Sequence, residues 1–201
     1  MTSTRFINLF AGPGAGKSTI AAGVFSLLKQ RGLDIELVPE FAKELVWEGS
    51  PALENQSYVT ARQFYVIKRL DNQCKWVITD SPAFLGAAYC TSAYPRSYID
   101  TLYWWHTQTQ TEGLNFFLER GADFDPKGRV HGKHESQMID GRIVSLMEEY
   151  NINFKTTQRD VAIHDICEAI LLQELADSEQ SSTLIEDFDM SSIAALGGTY
   201  D

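Results

Sequence analysis

The feature that most constrains this chain is a glycine-rich segment near its start, placed between a short apolar run and a helix-like stretch. Phe6–Phe10 is the apolar run, which is typical of a buried strand. Ala11–Ser18 reads Ala-Gly-Pro-Gly-Ala-Gly-Lys-Ser. In Ser18–Arg31 apolar residues recur at helical spacing, and Gly32 follows where a helix C-cap residue belongs. The N-terminus therefore predicts a strand, a tight glycine-rich turn and a helix in direct succession.

This turn fits the Walker A pattern, with Ala11 in the first position where glycine is commoner. Its glycines let backbone N–H groups turn inward around phosphate oxygens without Cβ clashes. The helix that follows points unsatisfied amides at the same place, the Lys17 ammonium adds a charge between the β- and γ-phosphates, and the Ser18 hydroxyl can ligate Mg²⁺. The predicted cofactors are ATP and Mg²⁺, and the predicted binding residues are Gly12, Pro13, Gly14, Ala15, Gly16, Lys17, Ser18 and Thr19.

Strand-like and helix-like segments alternate along most of the chain, which predicts an α/β fold with a five-stranded parallel sheet covered on both faces. This is a P-loop NTPase architecture, a kinase-type three-layer sandwich with a lid loop. The further strands expected are Ile35–Val38, Trp76–Thr79, Asn115–Leu118 and the weaker Ile152–Phe154. The further helices expected are Ala42–Glu48, Tyr58–Leu70, Ala83–Ala93, Ile99–Glu112, Glu135–Tyr150 and Arg159–Leu175.

Charge divides the 201 residues into two parts, a predicted kinase-type domain over 1–176 and a Ser-rich acidic tail over 177–201. The tail holds six acidic residues and no Lys or Arg, while the rest holds 17 basic residues against 21 acidic ones. We interpret the tail as flexible, with docking onto the domain or a partner as the alternative. The net charge of −10 argues against a generic nucleic-acid binder.

No apolar stretch approaches the roughly 20 residues that a membrane span needs, and no signal peptide is visible. The three cysteines are widely spaced without a CxxC pair, which indicates buried thiols of a cytoplasmic protein rather than a zinc site.

Two acids fall at the predicted carboxyl ends of strands, where open parallel sheets bind their ligands. Asp80 directly follows Trp76–Thr79 and is placed like a Walker B acid that holds Mg²⁺, together with Ser18, or accepts the proton of an attacking hydroxyl. Its alternative role is to cap a helix that starts near Pro82. Glu40 could bind an acceptor hydroxyl or act as the base, and otherwise it is a surface acid.

Two further groups of residues are candidates for substrate and phosphate contacts. Arg62 and Gln63 lie on one predicted helix and could contact a base or ribose, although Arg62 could equally be a surface charge. The polar segment Gly121–His134 follows the fourth strand and carries a concentrated basic patch, with Arg120 just before it and Arg129 inside it. We interpret it as a lid whose arginines stabilise the charge of phosphoryl transfer, the alternative being a solvated charged loop.

The phosphate loop by itself does not identify the reaction. The Asn-Lys-x-Asp segment that usually confers guanine specificity is not present. An oligomeric motor ATPase normally needs an added helical domain, for which this chain offers no room. A small kinase fits best, with Lys17, Asp80, Arg120 and Arg129 as its catalytic residues.

Four segments carry a resemblance to a known group: Phe10–Thr19, Pro39–Trp47, Thr79–Cys90 and Arg120–Arg129. With them the chain resembles the P-loop kinases related to the nicotinamide riboside kinase domain, especially the small AAA-like ATPase kinases of tailed phages. It also looks like the kinases of the thymidylate kinase-like group that phosphorylate 5-hydroxymethyluracil in DNA, although Asp80-Ser81-Pro82 replaces the Asp-Arg-Tyr of thymidylate kinases. The resemblance implies a Mg-ATP-dependent kinase in which Glu40 and Asp80 face the acceptor hydroxyl.

Three functions follow from these features. The first is a kinase for the 5-hydroxymethyl group of a modified pyrimidine in phage DNA, in the host cytoplasm, with Tyr103, Trp104 and Trp105 as contacts to bases unless they pack in the core. The second is a kinase for a free nucleoside or nucleotide, such as nicotinamide riboside or a deoxynucleotide. The third is a nucleotide-dependent regulatory ATPase. A nucleoside-type acceptor is the expected partner, a membrane is not, and a homodimer is a further expectation.

Overall fold

The computed structural model describes residues 3–109, 113–120 and 133–177, which form a parallel sheet flanked by helices. The strand order is β2-β3-β1-β4-β5. The strands are β1 Arg5–Phe10, β2 Ile35–Val38, β3 Trp76–Thr79, β4 Leu114–Glu119 and β5 Lys155–Gln158. The helices are α1 Lys17–Gln30, α2 Phe41–Glu48, α3 Gln56–Lys68, α4 Arg96–Thr107, α5 Lys133–Glu149 and α6 Ala162–Asp177, with 3₁₀ helices at Pro51–Glu54 and Ala83–Tyr89. The predicted five-stranded parallel P-loop fold is confirmed.

The central strand β1 buries both of its faces, which explains why its sequence is apolar without alternation. Ile7 and Leu9 pack in one core cluster with α1 and α6. Phe10 packs in a second cluster on the other side of the sheet with α4 and α5, and Phe6 contacts residues of α3 there. The register pairs Asn8 of β1 with Thr79 of β3, so the loops that follow both strands emerge side by side.

The fifth strand is Lys155–Gln158, so the predicted strand Ile152–Phe154 was wrong. Only Thr157 of this edge strand is buried, and its hydroxyl donates to Asp165. The apolar signal came from Ile152, which is buried in the core just before the strand. An edge strand with three solvent-facing positions carries no hydrophobic pattern that a sequence can display.

Several helix bounds also differ from the prediction. The segment after β3 is a 3₁₀ helix over Ala83–Tyr89 rather than an α-helix, and α5 already begins at Lys133, inside the expected lid loop. The remainder of that loop, residues 121–132, lies outside the described residues.

The last helix extends one residue into the predicted acidic tail. Asp177 ends α6 and forms an ion pair with Arg5 of β1, and the Lys75 ammonium lies 3.7 Å from the same carboxylate. The remaining tail residues, 178–201, lie outside the described part. Among the described helices, none is both long and apolar enough to cross a lipid bilayer.

Candidate functional site

The glycine-rich loop joins the end of β1 to the first turn of α1, as expected. Gly14 and Gly16 have φ angles of 83° and 95°, which residues other than glycine rarely adopt. Gly16 is the N-cap residue of α1, and this helix has neither a side-chain cap nor an acid in its first turn. An N-terminus without a cap or a nearby acid favours an anion.

Lys17 is 7% exposed and lies against its own loop. Its ammonium donates to the carbonyl oxygens of Ala11 at 2.7 Å and Gly12 at 3.1 Å. These bonds hold the charge at the mouth of the loop beside the start of α1. Phosphate oxygens bound there would compete with the two carbonyls for the ammonium.

A carboxylate on α5 that the sequence did not reveal contacts the backbone of the loop. Asp140 of α5 accepts a hydrogen bond from the Gly12 N–H at 2.5 Å and forms an ion pair with Arg120. The Arg120 guanidinium also donates to the carbonyl oxygens of Pro13, at 2.6 Å, and Ser136, at 3.2 Å. Both side chains are largely buried. Arg120, predicted to meet phosphate, thus lies next to the loop, where its guanidinium bonds the loop backbone and Asp140.

The need for glycine at position 12 comes from this close approach. A Cβ on Gly12 would lie 2.7 Å from the carbonyl oxygen of Ser136 and 2.8 Å from Nη2 of Arg120. Any larger residue would separate the loop from α5.

Arg159 is a second cation that the sequence interpretation missed. It follows β5 directly, and its Nε lies 3.2 Å from the position that a Cβ on Gly16 would occupy. The side chain is exposed and covers the loop at the start of α1. The incorrect placement of the fifth strand hid this residue, because Arg159 was expected inside a helix.

Asp80 lies at the carboxyl end of β3, 2% exposed, and its Oδ1 has no hydrogen-bond partner among the described residues. It caps no helix, since the following 3₁₀ helix has Pro82 as its N-cap residue and no side-chain cap. The capping alternative is therefore wrong. A buried carboxylate oxygen without a partner is costly in a folded protein and is typical of a functional site.

The donor set at this edge of the sheet suits Mg²⁺. Ser18 presents a hydroxyl in the first turn of α1, and Asp80 presents a carboxylate oxygen that lacks a partner. Both are hard oxygen ligands, as Mg²⁺ prefers. Within the described ranges there is no group of three or more His, Cys, Asp or Glu side chains that could hold a metal. Mg²⁺ needs few protein ligands when phosphates and water complete its coordination shell.

A cleft of about 420 Å³ opens next to the phosphate loop. Pro13, Lys17 and Ser18 form one end of it. α2, α3 and both 3₁₀ helices form its walls. The polar residues along the walls are Glu40, Lys43, Glu54, Gln56, Thr60, Gln63, Ser81 and Thr91, and the apolar or aromatic ones include Val46, Leu53, Val59, Leu85, Tyr89 and Tyr94. This mixture of apolar walls with a few polar groups is typical of a small-molecule site.

The three predicted substrate residues occupy different positions relative to this cleft. Glu40 lines it at the start of α2. Gln63 also lines it, and its amide bonds the turn after β2 by accepting from the Phe41 N–H at 2.8 Å and donating to the Pro39 oxygen at 3.3 Å. Arg62 lies on the outer side of α3 against the rings of Phe41 and Tyr65.

The aromatic residues proposed for contacts with bases on α4 are largely packed inside. Tyr103 is half-buried in a ring cluster with Phe84 and Tyr150. Trp105 stacks on Phe64 with ring centroids 4.8 Å apart, whereas Trp104 is 55% exposed. The expected phosphate contact Arg129 lies outside the described residues. The three cysteines are buried and free, and burial raises the pKa of the Cys90 thiol to about 11.

Comparisons with known proteins agree with this geometry. A crystal structure of NadR protein in complex with NAD and AMP-PNP superposes with a TM-score of 0.60 at 11% identity, covering 83% of this chain and 48% of that one. The chain therefore spans about half the length of that neighbour, and a likeness at this identity establishes the fold alone. Because 174 chains of solved structures match, the fold is too common to name a reaction. No curated protein matches. A family model described as "AAA domain" matches residues 6–162, which is most of the sequence, and the chain therefore belongs to the AAA domain family of P-loop proteins.

Proposed function

We propose that this protein is a Mg-ATP-dependent kinase that transfers the γ-phosphate to a hydroxyl of a nucleoside-type acceptor bound in the cleft. The observation that carries the proposal is the position of the cleft, which ends at Lys17 and Ser18 and has Glu40 in its wall. An acceptor there would have its hydroxyl next to the terminal phosphate. A hydrolase needs only water at that place, whereas a cleft of about 420 Å³ has room for an acceptor molecule.

Each residue of the site has a separate role in such a transfer. The uncapped amides at the start of α1 and the Lys17 ammonium bind the β- and γ-phosphates. Ser18 and Asp80 would hold Mg²⁺, which neutralises charge on the phosphates when bound. Asp80 or Glu40 accepts the proton of the acceptor hydroxyl. Asp140 and Arg120 hold the backbone of the loop in its phosphate-binding form.

The best specific acceptor is the 5-hydroxymethyl group of 5-hydroxymethyldeoxyuridine in phage DNA. It is supported by the resemblance of the loop, Glu40 and Asp80 segments, and by a cleft large enough for a nucleoside. A free nucleoside or nucleotide is the second candidate, favoured by the net charge of −10, because affinity for DNA comes largely from neutralised phosphates. The neighbouring NadR protein was captured with two nucleotides, NAD and AMP-PNP, which supports nucleotide binding here.

A single transfer assay separates these candidates. The protein is incubated with γ-labelled ATP and Mg²⁺ against free nucleosides, free nucleotides, plain DNA and DNA containing 5-hydroxymethyluracil. Label that enters DNA only with the modified base supports the first acceptor, and label on a free compound supports the second. Release of labelled phosphate at the same rate with and without every acceptor would instead indicate the regulatory ATPase.

The matched variants for this assay are two lysines of α1. Lys17→Ala is expected to abolish transfer while the circular dichroism spectrum stays that of the folded protein. Lys29→Ala, whose ammonium pairs with Glu36 on the surface, is expected to leave transfer unchanged. Full transfer by the Lys17 variant would refute the assignment of the phosphate loop.

A further inference from the structure

A continuous row of rings and one guanidinium runs along the outer side of α2 and α3. The rings of Tyr58 and Phe41 meet edge to face with centroids 5.7 Å apart. The guanidinium carbon of Arg62 lies 5.7 Å from the centroid of Phe41 and 5.3 Å from that of Tyr65. We name these four residues, Tyr58, Phe41, Arg62 and Tyr65, the ring–arginine row.

The row faces solvent to an extent that is unusual for aromatic residues. Tyr58 is 46% and Tyr65 is 59% exposed, and Arg62 is exposed between them. No carboxylate of the described residues lies within ion-pair distance of Arg62, so its charge is held over ring faces rather than neutralised. Exposed rings with a cation between them offer flat surfaces on which further planar groups can stack.

The row lies next to the acceptor cleft on the same helix. Val59, Thr60 and Gln63 line the cleft, and Tyr58, Arg62 and Tyr65 occupy the adjoining stripe of α3 at spacings of four and three residues. Phe41 follows Glu40, which is a wall residue of the cleft. The start of α2 therefore connects the cleft to the row.

We propose that the ring–arginine row binds the unpaired bases of a single-stranded nucleic acid whose target nucleotide occupies the cleft. Bases stack on tyrosine rings and on guanidinium planes whatever their sequence, because every base has a π-face. An acidic protein gains little from phosphate contacts, so stacking is expected to supply most of the affinity and the salt dependence to be shallow. This inference rests on the proposed nucleoside-type acceptor and gives that acceptor its context.

The test measures strand binding without ATP or Mg²⁺, so that its result is independent of phosphate transfer. Fluorescence anisotropy follows labelled dT20, rU20 and a 20-base-pair DNA duplex with the full chain. Either single strand is expected to bind more tightly than the duplex, whose bases are already stacked on each other. Tyr65→Ala should weaken strand binding at least about fivefold, in the range of lost base–aromatic stacking. Tyr65→Phe keeps the ring and should bind as the parent does.

Two more variants locate the surface. Leu172→Ala removes an exposed apolar side chain of α6 and should leave strand binding unchanged. Trp104→Ala tests the exposed ring of α4. Loss of binding in the Trp104 variant with full binding in the Tyr65 variant would overturn the proposal. The absence of binding to both single strands would also overturn the proposal. If Tyr65→Ala then dissociates a dimer, the row is a contact between two copies of the chain instead. Transfer to a free nucleoside is measured separately, so a failure of the kinase assignment and a failure of the row are distinguishable.

Discussion

His106 provides a quantitative prediction about acid stability. It is 2% exposed in the core, and its ring centroid lies 5.8 Å from that of Phe10 and 5.9 Å from that of Phe84. Neither ring nitrogen has a hydrogen-bond partner among the described residues. Burial lowers the pKa of His106 from 6.5 to about 4, so the folded protein keeps the imidazole neutral.

The sign of the effect follows from proton binding. Between pH 6.5 and 4 the unfolded chain takes up a proton that the folded core refuses, so the free energy of unfolding falls as the pH falls. A difference of one pH unit between the two pKa values corresponds to about 1.4 kcal/mol, so the complete loss is about 3 kcal/mol below pH 4. Between pH 7 and pH 5 the same relation gives a loss of about 2 kcal/mol.

His106→Leu tests this reasoning, because it fills a similar volume without a titrating group. Urea unfolding at pH 7 and pH 5 should show that the variant gains about 2 kcal/mol on the parent over this interval. His134→Gln changes an exposed histidine of α5 and should reproduce the pH dependence of the parent. If the parent and the His106 variant lose the same stability between the two pH values, the buried neutral imidazole is not the cause and the argument fails.

Three further predictions concern the site. Asp80→Asn should lower turnover by at least about 10²-fold, as is usual for general acid–base groups, while stability in urea does not fall; a loss below about tenfold would contradict a catalytic role. Asp140→Asn leaves the largely buried Arg120 without its counter-charge. It should lower the free energy of unfolding in urea by about 3 kcal/mol and weaken ATP binding measured by calorimetry. If neither value changes, Asp140 does not support the loop. Gly12→Ala should destabilise the protein by about 1–3 kcal/mol, because its Cβ meets backbone and guanidinium atoms. The control Gly141→Ala in α5, whose Cβ would have no atom within 4 Å, should stabilise the protein by about 0.5–1 kcal/mol. Equal shifts of the melting temperature in both variants would refute the close approach at Gly12.

The parts of this protein that the sequence predicted are those whose physical cause is local. The loop is recognisable because Gly14 and Gly16 must take positive φ angles within a few residues of a buried strand and a helix start. The first four strands of the sheet follow from apolar runs that alternate with helical periods. Asp80 and Glu40 could be placed because a strand end positions the next residue whatever the rest of the fold does.

The fifth strand and the extent of the lid segment marked the limit of this reasoning. β5 is an edge strand with a single buried side chain, so it has no pattern to read, and Ile152 drew the prediction to the loop before it. The misplaced strand in turn concealed Arg159. A strand with one buried position carries no hydrophobic pattern from which its pairing could be predicted.

Only the tertiary structure determined what surrounds the site. Asp140 meets the Gly12 amide across 128 positions of sequence, and the row on α3 exists because α2 places Phe41 beside Arg62. Such contacts depend on how helices pack on the sheet, and a carboxylate or an arginine on an amphipathic helix looks the same in sequence whether it faces solvent or a phosphate loop. The sequence by itself therefore determined that a P-loop nucleotide-binding fold forms on a parallel sheet. The packing of distant helices decided which side chains contact the loop and which rings lie beside Arg62, because close contacts between segments far apart in sequence are a property of the assembled core.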